Sequence, residues 1–125
     1  MAEPIDFAAE LNPQQLAAAT FGDGPLLVVA GAGTGKTRAL VYRVAHLLGR
    51  GVPPHRILLL TFTRRASQEM LGRVARLAGA ASARVHGGTF QATAHRLLRA
   101  CGPAAGLAKD LTILEQGDAV DLMGM

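Results

Sequence analysis

Residues 30–37, which read AGAGTGKT, combine three glycines, a lysine and a threonine at a spacing that suits phosphate binding. The glycines allow successive backbone N–H groups to turn inward around phosphate oxygens, and a helix N-terminus behind them adds a positive dipole. At this spacing Lys36 would reach the β- and γ-phosphates of a nucleotide, and Thr37 would place its hydroxyl on Mg²⁺. The predicted phosphate site comprises Ala30, Gly31, Ala32, Gly33, Thr34, Gly35, Lys36 and Thr37.

The segments on either side of this loop have the patterns of a strand and a helix. Residues 25–30, PLLVVA, form a continuous apolar run, as in strands buried on both faces of a parallel sheet. After Thr37, apolar residues recur at helical spacing until GRGVPP interrupts them. The alternative, a tight glycine turn with Lys36 merely solvated, is disfavoured because strand, loop and helix all agree. Arg38 lies in the first helical turn, where a nearby phosphate would offset its unfavourable interaction with the helix dipole.

Two more units of strand, loop and helix are predicted farther along the chain. Residues 57–62, ILLLTF, form a second apolar strand, followed by a helix with the apolar spacing of Ala66 to Leu77. Residues 83–90, ARVHGGTF, form a shorter third strand, and the helix after it carries Cys101 on an apolar face. Such alternation predicts a parallel sheet flanked by helices, with the loops after its strands at one edge, where α/β proteins bind ligands.

Helices are also predicted at the two ends of the chain. In LNPQQLAAAT, Asn12 is the expected N-cap and Pro13 the first helical residue. Gln15 has two interpretations, because its amide could return a hydrogen bond to the cap or could contact the edge of adenine. Near the other end, LTIL is a short strand or a turn, and EQGDAVDLM is a helix with Glu115 and Asp118 in its first turn.

The loops after the second and third predicted strands have residues suited to nucleic acid. In TFTRR, Thr63 is the expected N-cap, and two arginines follow in the first helical turn. Cations are disfavoured there, which indicates a bound anion, although a solvated basic face is the alternative. In GGTFQ, Thr89 and the backbone could grip a nucleic-acid backbone while Phe90 stacks on a base. Core packing is the favoured alternative for the Phe90 ring, and Phe62 has the same two interpretations.

The composition is that of a folded protein of one domain. Of the 125 residues, 50% are hydrophobic and 18% are charged, which excludes a disordered chain. The net charge of +4 is a modest bias toward polyanions. The single cysteine, Cys101, excludes an internal disulfide and is expected to pack as a small hydrophobe. No apolar run approaches the roughly 18 residues that a membrane helix needs, and we expect a cytoplasmic protein.

Four motifs together, LNPQQ, AGAGTGKT, TFTRRASQEM and GTFQATAHRLLR, resemble in order and spacing the Q motif and motifs I, Ia and Ib of superfamily 1A DNA helicases. The match is similar to the UvrD, Rep and PcrA group and covers nearly the whole chain. This resemblance implies a P-loop NTPase domain of RecA-like fold, an α/β parallel sheet flanked by helices and here incomplete. It implies ATP and Mg²⁺ as cofactors, single-stranded DNA as a partner, and 3′ to 5′ movement in repair and replication restart.

The resemblance also implies roles for individual residues. Gln15 would contact adenine, Gly33 to Thr37 would hold phosphates and Mg²⁺, and Arg38 would contact the nucleotide. The family commonly has Asn and Lys where this chain has Arg64 and Arg65, and His and Ser where it has Gln91 and Ala92, which alters hydrogen-bond geometry. The expected DNA-binding residues are Phe62, Thr63, Arg64, Arg65, Thr89 and Phe90.

The chain lacks the acidic motif that ATP hydrolysis needs. Carboxylates must hold Mg²⁺ and activate water, yet no apolar run in the sequence ends in Asp-Glu. Residues 1–125 are therefore expected to be the N-terminal part of the first motor domain, which binds nucleotide without hydrolysing it and works with the remaining helicase domains. The alternative is a stand-alone, non-catalytic nucleotide-binding adapter. Without its sheet neighbours, the 25–30 strand is expected to promote self-association.

Overall fold

The fold was determined as a computed structural model that describes residues 4–124. The chain divides into two compact units, Met1–Phe90 and Gln91–Met125. Within the described range, the regular elements are α1 (Phe7–Glu10), α2 (Pro13–Ala19), α3 (Lys36–Gly49), β1 (Leu58–Thr61), α4 (Arg64–Ala78), β2 (His86–Thr89), α5 (Phe90–Cys101) and α6 (Gln116–Met123). The mixture of helices and parallel strands agrees with an incomplete α/β domain.

The sheet consists of β1 and β2, which pair in parallel in the described part of the chain. The register runs from Leu58 opposite His86 to Thr61 opposite Thr89. Helix α4 connects the two strands and packs against both of them. This arrangement confirms the second and third strand predictions and the parallel direction expected for strands joined by a helix.

The prediction of a strand at residues 25–30 is wrong. These residues form no regular structure, and the side chains of Leu27 and Val29 are 86% and 87% exposed. An apolar run indicates a segment that favours burial, but a strand also needs a neighbour that satisfies its backbone N–H and C=O groups. Among residues 4–124 the sheet consists of β1 and β2, and neither of them pairs with residues 25–30.

The main core lies between the helices and the sheet of the first unit. Helices α3 and α4 contribute their apolar faces, as the helical spacing predicts, and Val74 of α4 is fully buried. Burial of these side chains holds α3 and α4 against the sheet. The buried residues of this core are Val41, Val44, Ile57, Leu59, Val74 and Val85.

A second cluster packs α1 and α2 against α3. Leu11, Ala19 and Tyr42 form its buried part, and the Phe7 ring meets the Tyr42 ring edge-on at 5.7 Å between centroids. The capping box predicted for α2 is confirmed, with the Asn12 side chain and the Gln15 side chain each accepting from the other residue's backbone N–H. The contacts of this cluster attach α1 and α2 to α3, the helix that follows the glycine loop.

Arg43 and His46 lie farther along α3. The Arg43 guanidinium donates hydrogen bonds to three backbone carbonyls, that of Ala19 at the end of α2 and those of Phe21 and Gly22 just after it. Burial lowers the pKa of His46 from its ordinary value, and the charges of Arg43 and Arg50 lower it further. His46 contacts the Phe7 ring edge-on, so its environment belongs to the α1 cluster and not to the glycine loop.

The second unit contains most of α5 and all of α6. Both helices are confirmed close to their predicted bounds, whereas residues 111–114 form neither a strand nor a turn. The expectation that Cys101 is packed in a core is wrong, because its side chain is exposed together with those of Leu97 and Leu98. Helical periodicity places these residues on one face, but it does not supply an element that covers the face.

Candidate nucleotide and nucleic-acid site

The glycine-rich loop enters α3 without a side-chain cap. Gly33 and Gly35 have positive φ angles of 74° and 86°, and Gly35 is the N-cap residue of the helix. The Thr34 hydroxyl donates to the carbonyl of Gly31 at 2.5 Å, which closes the loop on itself. Since no side chain caps α3, the first N–H groups of the helix keep their capacity to bind an anion.

Gln15 joins α2 to this loop through both ends of its amide. Its Oε1 accepts from the backbone N–H of Asn12 at 3.1 Å, and its Nε2 donates to the carbonyl of Gly35 at 3.2 Å. The positive φ angle of Gly35 favours glycine, and a Cβ atom there would displace the Gln15 amide from its present position. The capping interpretation of Gln15 is confirmed, and its contact with adenine stays a prediction.

A cavity of about 330 Å³ lies beside the loop. Gln15, Thr34, Gly35 and Lys36 line it. The structure therefore brings the residue predicted to contact adenine, Gln15, close to residues predicted to bind the phosphates. Lys36 is the first residue of α3 and is exposed, and among residues 4–124 it forms no ion pair. Thr37 is half-buried in the same helical turn.

Arg38 lies apart from that cavity. Its guanidinium forms an ion pair with Glu10, with Nη2 at 2.9 Å from Oε2, and lies over the Tyr42 ring at 5.1 Å from the centroid. It lines a different cavity of about 460 Å³ between α3 and α4. Sequence patterns gave no indication of Glu10 or Tyr42, because the contact between Arg38 and Glu10 spans 28 positions.

The residues after β1 and β2 leave the sheet side by side. Thr61 is paired with Thr89, so Phe62 and Phe90 directly follow the last paired residues of the two strands. Their side chains are 91% and 57% exposed. Core packing, the favoured interpretation for the Phe90 ring and the alternative for Phe62, is therefore wrong. The strands end before these residues, so the apolar pattern continues past the sheet that would bury them.

The basic turn after β1 is held by threonines. Thr63 caps α4 as predicted, with its Oγ1 accepting from the N–H of Ala66 at 3.1 Å. The Thr61 hydroxyl donates to the carbonyl of Thr63 at 3.0 Å, which fixes the turn to the end of the strand. Arg64 and Arg65 are exposed in the first turn of α4, and neither forms an ion pair in the part of the chain that the structure describes. The predicted DNA-contacting residues of both loops thus share one edge of the sheet.

Comparison with known proteins decides the family. The model of the UvrD/REP helicase N-terminal domain matches residues 11–125. The chain belongs to this family.

Individual relatives of this UvrD/REP helicase family agree with the match. The chain is 46% identical over 115 residues to the ATP-dependent DNA helicase PcrA of Leuconostoc citreum, which covers 90% of this chain and 15% of that protein. It is 42% identical over 114 residues to DNA helicase II of Escherichia coli strain K12, covering 90% and 16% of the two chains. With PcrA of Staphylococcus aureus strain NCTC 8325 the identity is 38% over 109 residues, or 86% and 15%.

This UvrD/REP-family chain therefore spans about one-sixth of the length of the relatives it matches. The match begins at Leu11, so Glu10 and α1 precede the part that the family model covers. Within residues 4–124, no helix combines the length and the apolarity needed to cross a lipid bilayer.

Proposed function

We propose that residues 30–37 bind the phosphates of ATP and that the chain is the N-terminal part of the first, RecA-like motor domain of a DNA helicase. The uncapped start of α3 behind Gly33 and Gly35 carries this proposal. An anion placed there gains hydrogen bonds from backbone N–H groups and the positive end of a 14-residue helix. The ammonium of Lys36 emerges from the same turn without a carboxylate to neutralise it in the described part of the chain.

The same residues fit a magnesium nucleotide. The hydroxyl of Thr37 would hold Mg²⁺ together with phosphate oxygens, and the bound ion would supply charge that stabilises the phosphates. Gln15 would contact the adenine by moving one end of its amide from the Gly35 carbonyl or the Asn12 N–H. For Arg38 to contact the nucleotide as well, its guanidinium would move from the cavity between α3 and α4, where it pairs with Glu10.

The edge formed by the residues after β1 and β2 would bind single-stranded DNA. Phe62 and Phe90 present exposed rings for stacking on bases, and Arg64 and Arg65 add charge toward phosphates. Phe62→Ala should weaken binding of a fluorescent single-stranded oligonucleotide by about 1–3 kcal/mol, whereas Phe62→Trp should retain it. Equal affinity of the wild type and Phe62→Ala in an anisotropy titration would remove Phe62 from the interface.

For the whole protein we propose ATP-driven movement along single-stranded DNA in the 3′ to 5′ direction, in the cytoplasm. The relatives named as ATP-dependent DNA helicases support this proposal. Residues 1–125 themselves are proposed to bind nucleotide without hydrolysing it, because none of their apolar runs ends in the Asp-Glu pair that hydrolysis uses.

A pair of lysine variants tests the nucleotide site. The chain has two lysines, Lys36 in the glycine loop and Lys109 in an exposed segment of the second unit. Lys36→Ala should weaken Mg-ATP binding at least about tenfold in calorimetry, equivalent to about 1.4 kcal/mol, while Lys109→Ala should leave it unchanged.

Two results would refute parts of this proposal. Equal Mg-ATP affinities of Lys36→Ala and Lys109→Ala would remove the glycine loop as the binding site. ATP turnover by purified residues 1–125, abolished by Lys36→Ala, would show that the chain contains the acidic groups for hydrolysis.

A further inference from the structure

The cavity of about 460 Å³ between α3 and α4, called the α3–α4 cavity below, has a lining of its own. Each helix contributes three residues at positions i, i+3 and i+4, a spacing that places side chains on one helical face. None of the described residues lines both this cavity and the one beside the glycine loop. The lining residues are Arg38, Val41 and Tyr42 of α3 and Arg73, Arg76 and Leu77 of α4.

The apolar part of the α3–α4 cavity is well buried. Val41 and Tyr42 are 4% and 7% exposed, and Leu77 packs against the cluster that contains Tyr42. The Arg38 guanidinium lies over the Tyr42 ring at 5.1 Å from its centroid. A ring that is buried and covered in this way leaves too little surface for a nucleic-acid base to stack on.

Three guanidinium groups border this apolar surface, and two of them already bind carboxylates. Arg38 pairs with Glu10 at 2.9 Å, and Arg73 pairs with Glu69 at 2.6 Å. Arg76 is exposed and forms neither a hydrogen bond nor an ion pair among residues 4–124. Three guanidiniums against two carboxylates leave one net positive charge, and the unpaired cation is Arg76.

The two ion pairs also leave N–H donors unused. Arg38 donates to Glu10 through Nε and Nη2, and Arg73 donates to Glu69 through Nη2. The Nη1 group of each arginine therefore forms no hydrogen bond in the part of the chain that the structure describes. Because a guanidinium presents its donors as a planar fork that matches a carboxylate, these groups and Arg76 suit an additional carboxylate ligand.

Charge complementarity favours a polypeptide over a nucleic-acid strand in the α3–α4 cavity. A strand would bring a row of phosphates past the carboxylates of Glu10 and Glu69, which repel it, and the Tyr42 ring is not available for stacking. A polypeptide can place one carboxylate on Arg76 and an apolar side chain beside Leu77. Arginine next to a buried apolar surface is typical of the residues that dominate protein interfaces.

We propose that the α3–α4 cavity binds an acidic segment of a partner protein, in which a carboxylate stands next to a large apolar side chain. Arg76 is the principal charged contact, and Arg38 and Arg73 border the same space. The volume of the cavity lies within the range of about 300–1,000 Å³ that is typical of ligand sites. The proposal does not depend on the nucleotide site, because other residues line the cavity beside the glycine loop.

Fluorescence anisotropy with residues 1–125 tests the charge requirement. The probe is a labelled peptide in which glutamate and leucine alternate, and its counterpart has glutamine in place of glutamate. Arg76→Glu should weaken binding of the glutamate peptide at least about tenfold, because repulsion replaces attraction at the unpaired guanidinium. Arg76→Lys should weaken it only about two- to fivefold, because the ammonium keeps the charge without the planar fork. The glutamine peptide should bind the wild type weakly and should not distinguish these variants.

Arg84 supplies a matched control for the change in net charge. It is exposed in the turn before β2 and, like Arg76, forms no ion pair in the described structure. Arg84→Glu should change affinity for the glutamate peptide by no more than about twofold, because salt screens charges that lie away from the cavity. Both side chains are exposed, so both variants should unfold at the temperature of the wild type.

Three results would overturn the proposal. The first is a wild type that does not bind the glutamate peptide, or equal affinities for it in Arg76→Glu and Arg84→Glu. The second is a labelled oligothymidine strand whose binding is weakened by Arg76→Glu and not by Arg84→Glu, which would make the cavity a nucleic-acid site. The third is a dimer in analytical ultracentrifugation that Arg76→Glu alone dissociates, which would make the occupant a second copy of this chain. The nucleotide site is tested separately by Lys36→Ala and Lys109→Ala.

Discussion

Residues 25–30 and residues 57–62 have similarly apolar sequences, PLLVVA and ILLLTF. The second segment contains a paired strand, whereas the first has no regular structure. In the second segment Leu59 is 4% exposed and pairs with Gly87 of the neighbouring strand. In the first, Leu27 has most of its surface in solvent and the backbone forms no strand. The difference shows that apolar character creates a requirement for burial, and that a hydrogen-bonded neighbour decides whether a strand forms.

The position of each segment in the chain explains the contrast. β1 is followed by α4 and then β2, so its neighbour is supplied by the next unit of the chain. Residues 25–30 lie between α2 and α3, and neither of these helices leads to a strand that pairs with them among residues 4–124. The backbone N–H and C=O groups of this segment therefore lack a strand partner in the described part of the chain.

Equivalent leucine substitutions in the two segments should give the largest difference. Leu59→Ala should lower the free energy of unfolding by about 2–5 kcal/mol, because it leaves a cavity beside Val74 and Val44. Leu27→Ala should change it by no more than about 0.5 kcal/mol, because that side chain is exposed. Urea unfolding of the two variants measures both values, and similar losses would mean that residues 25–30 are buried in solution.

A glycine substitution in β2 tests how closely α4 packs on the paired strands. A Cβ at Gly87 would lie 2.7 and 2.8 Å from the Cδ atoms of Leu71, so Gly87→Ala should destabilise the chain by about 1–3 kcal/mol through overpacking. A Cβ at Gly72 in the middle of α4 would lie 3.8 Å from Nη1 of Arg76, an ordinary van der Waals contact, and Gly72→Ala should stabilise by about 0.5–1 kcal/mol. Thermal unfolding should show opposite shifts, and a stabilising Gly87→Ala would contradict the packing of α4 on β2.

A charged substitution tests residues 25–30, the unpaired segment, where the effect on the free energy of unfolding should be smallest. Leu27→Lys should shift the chain from self-associated species toward the monomer, because an edge lysine opposes strand addition. Its free energy of unfolding should change by less than about 0.5 kcal/mol, since Leu27 is exposed. Light scattering coupled to gel filtration measures the mass. A wild type that stays monomeric at every concentration would show that the exposed segment does not drive association.

Features that depend on nearby residues could be predicted from the sequence. The caps at Asn12 and Thr63 and the helices after the glycine loop and after β1 follow from side chains within one or two turns. The exposure of Phe62 and the lack of pairing at residues 25–30 could not, because both depend on which elements lie beside them in space.

The candidate site shows the same division between local and distant signals. The positive φ angles fall at two of the glycines in the predicted loop, whereas the interaction of Glu10 with Arg38 had no sequence signal. Gln15 illustrates both cases, because its cap was predictable from a spacing of three and its bond to Gly35 spans 20 positions.

The three carbonyls bound by Arg43 have a consequence for the unpaired segment. They hold the backbone before residues 25–30 to α3, and the loop after these residues is held at Gly35 by the hydrogen bond from Gln15. Ordering one residue costs roughly 1–2 kcal/mol of backbone entropy, so a segment tethered at both ends has fewer conformations left to lose. A strand that pairs with residues 25–30 would therefore meet a segment whose ends are already held, so less backbone entropy would be lost on pairing than with a free chain.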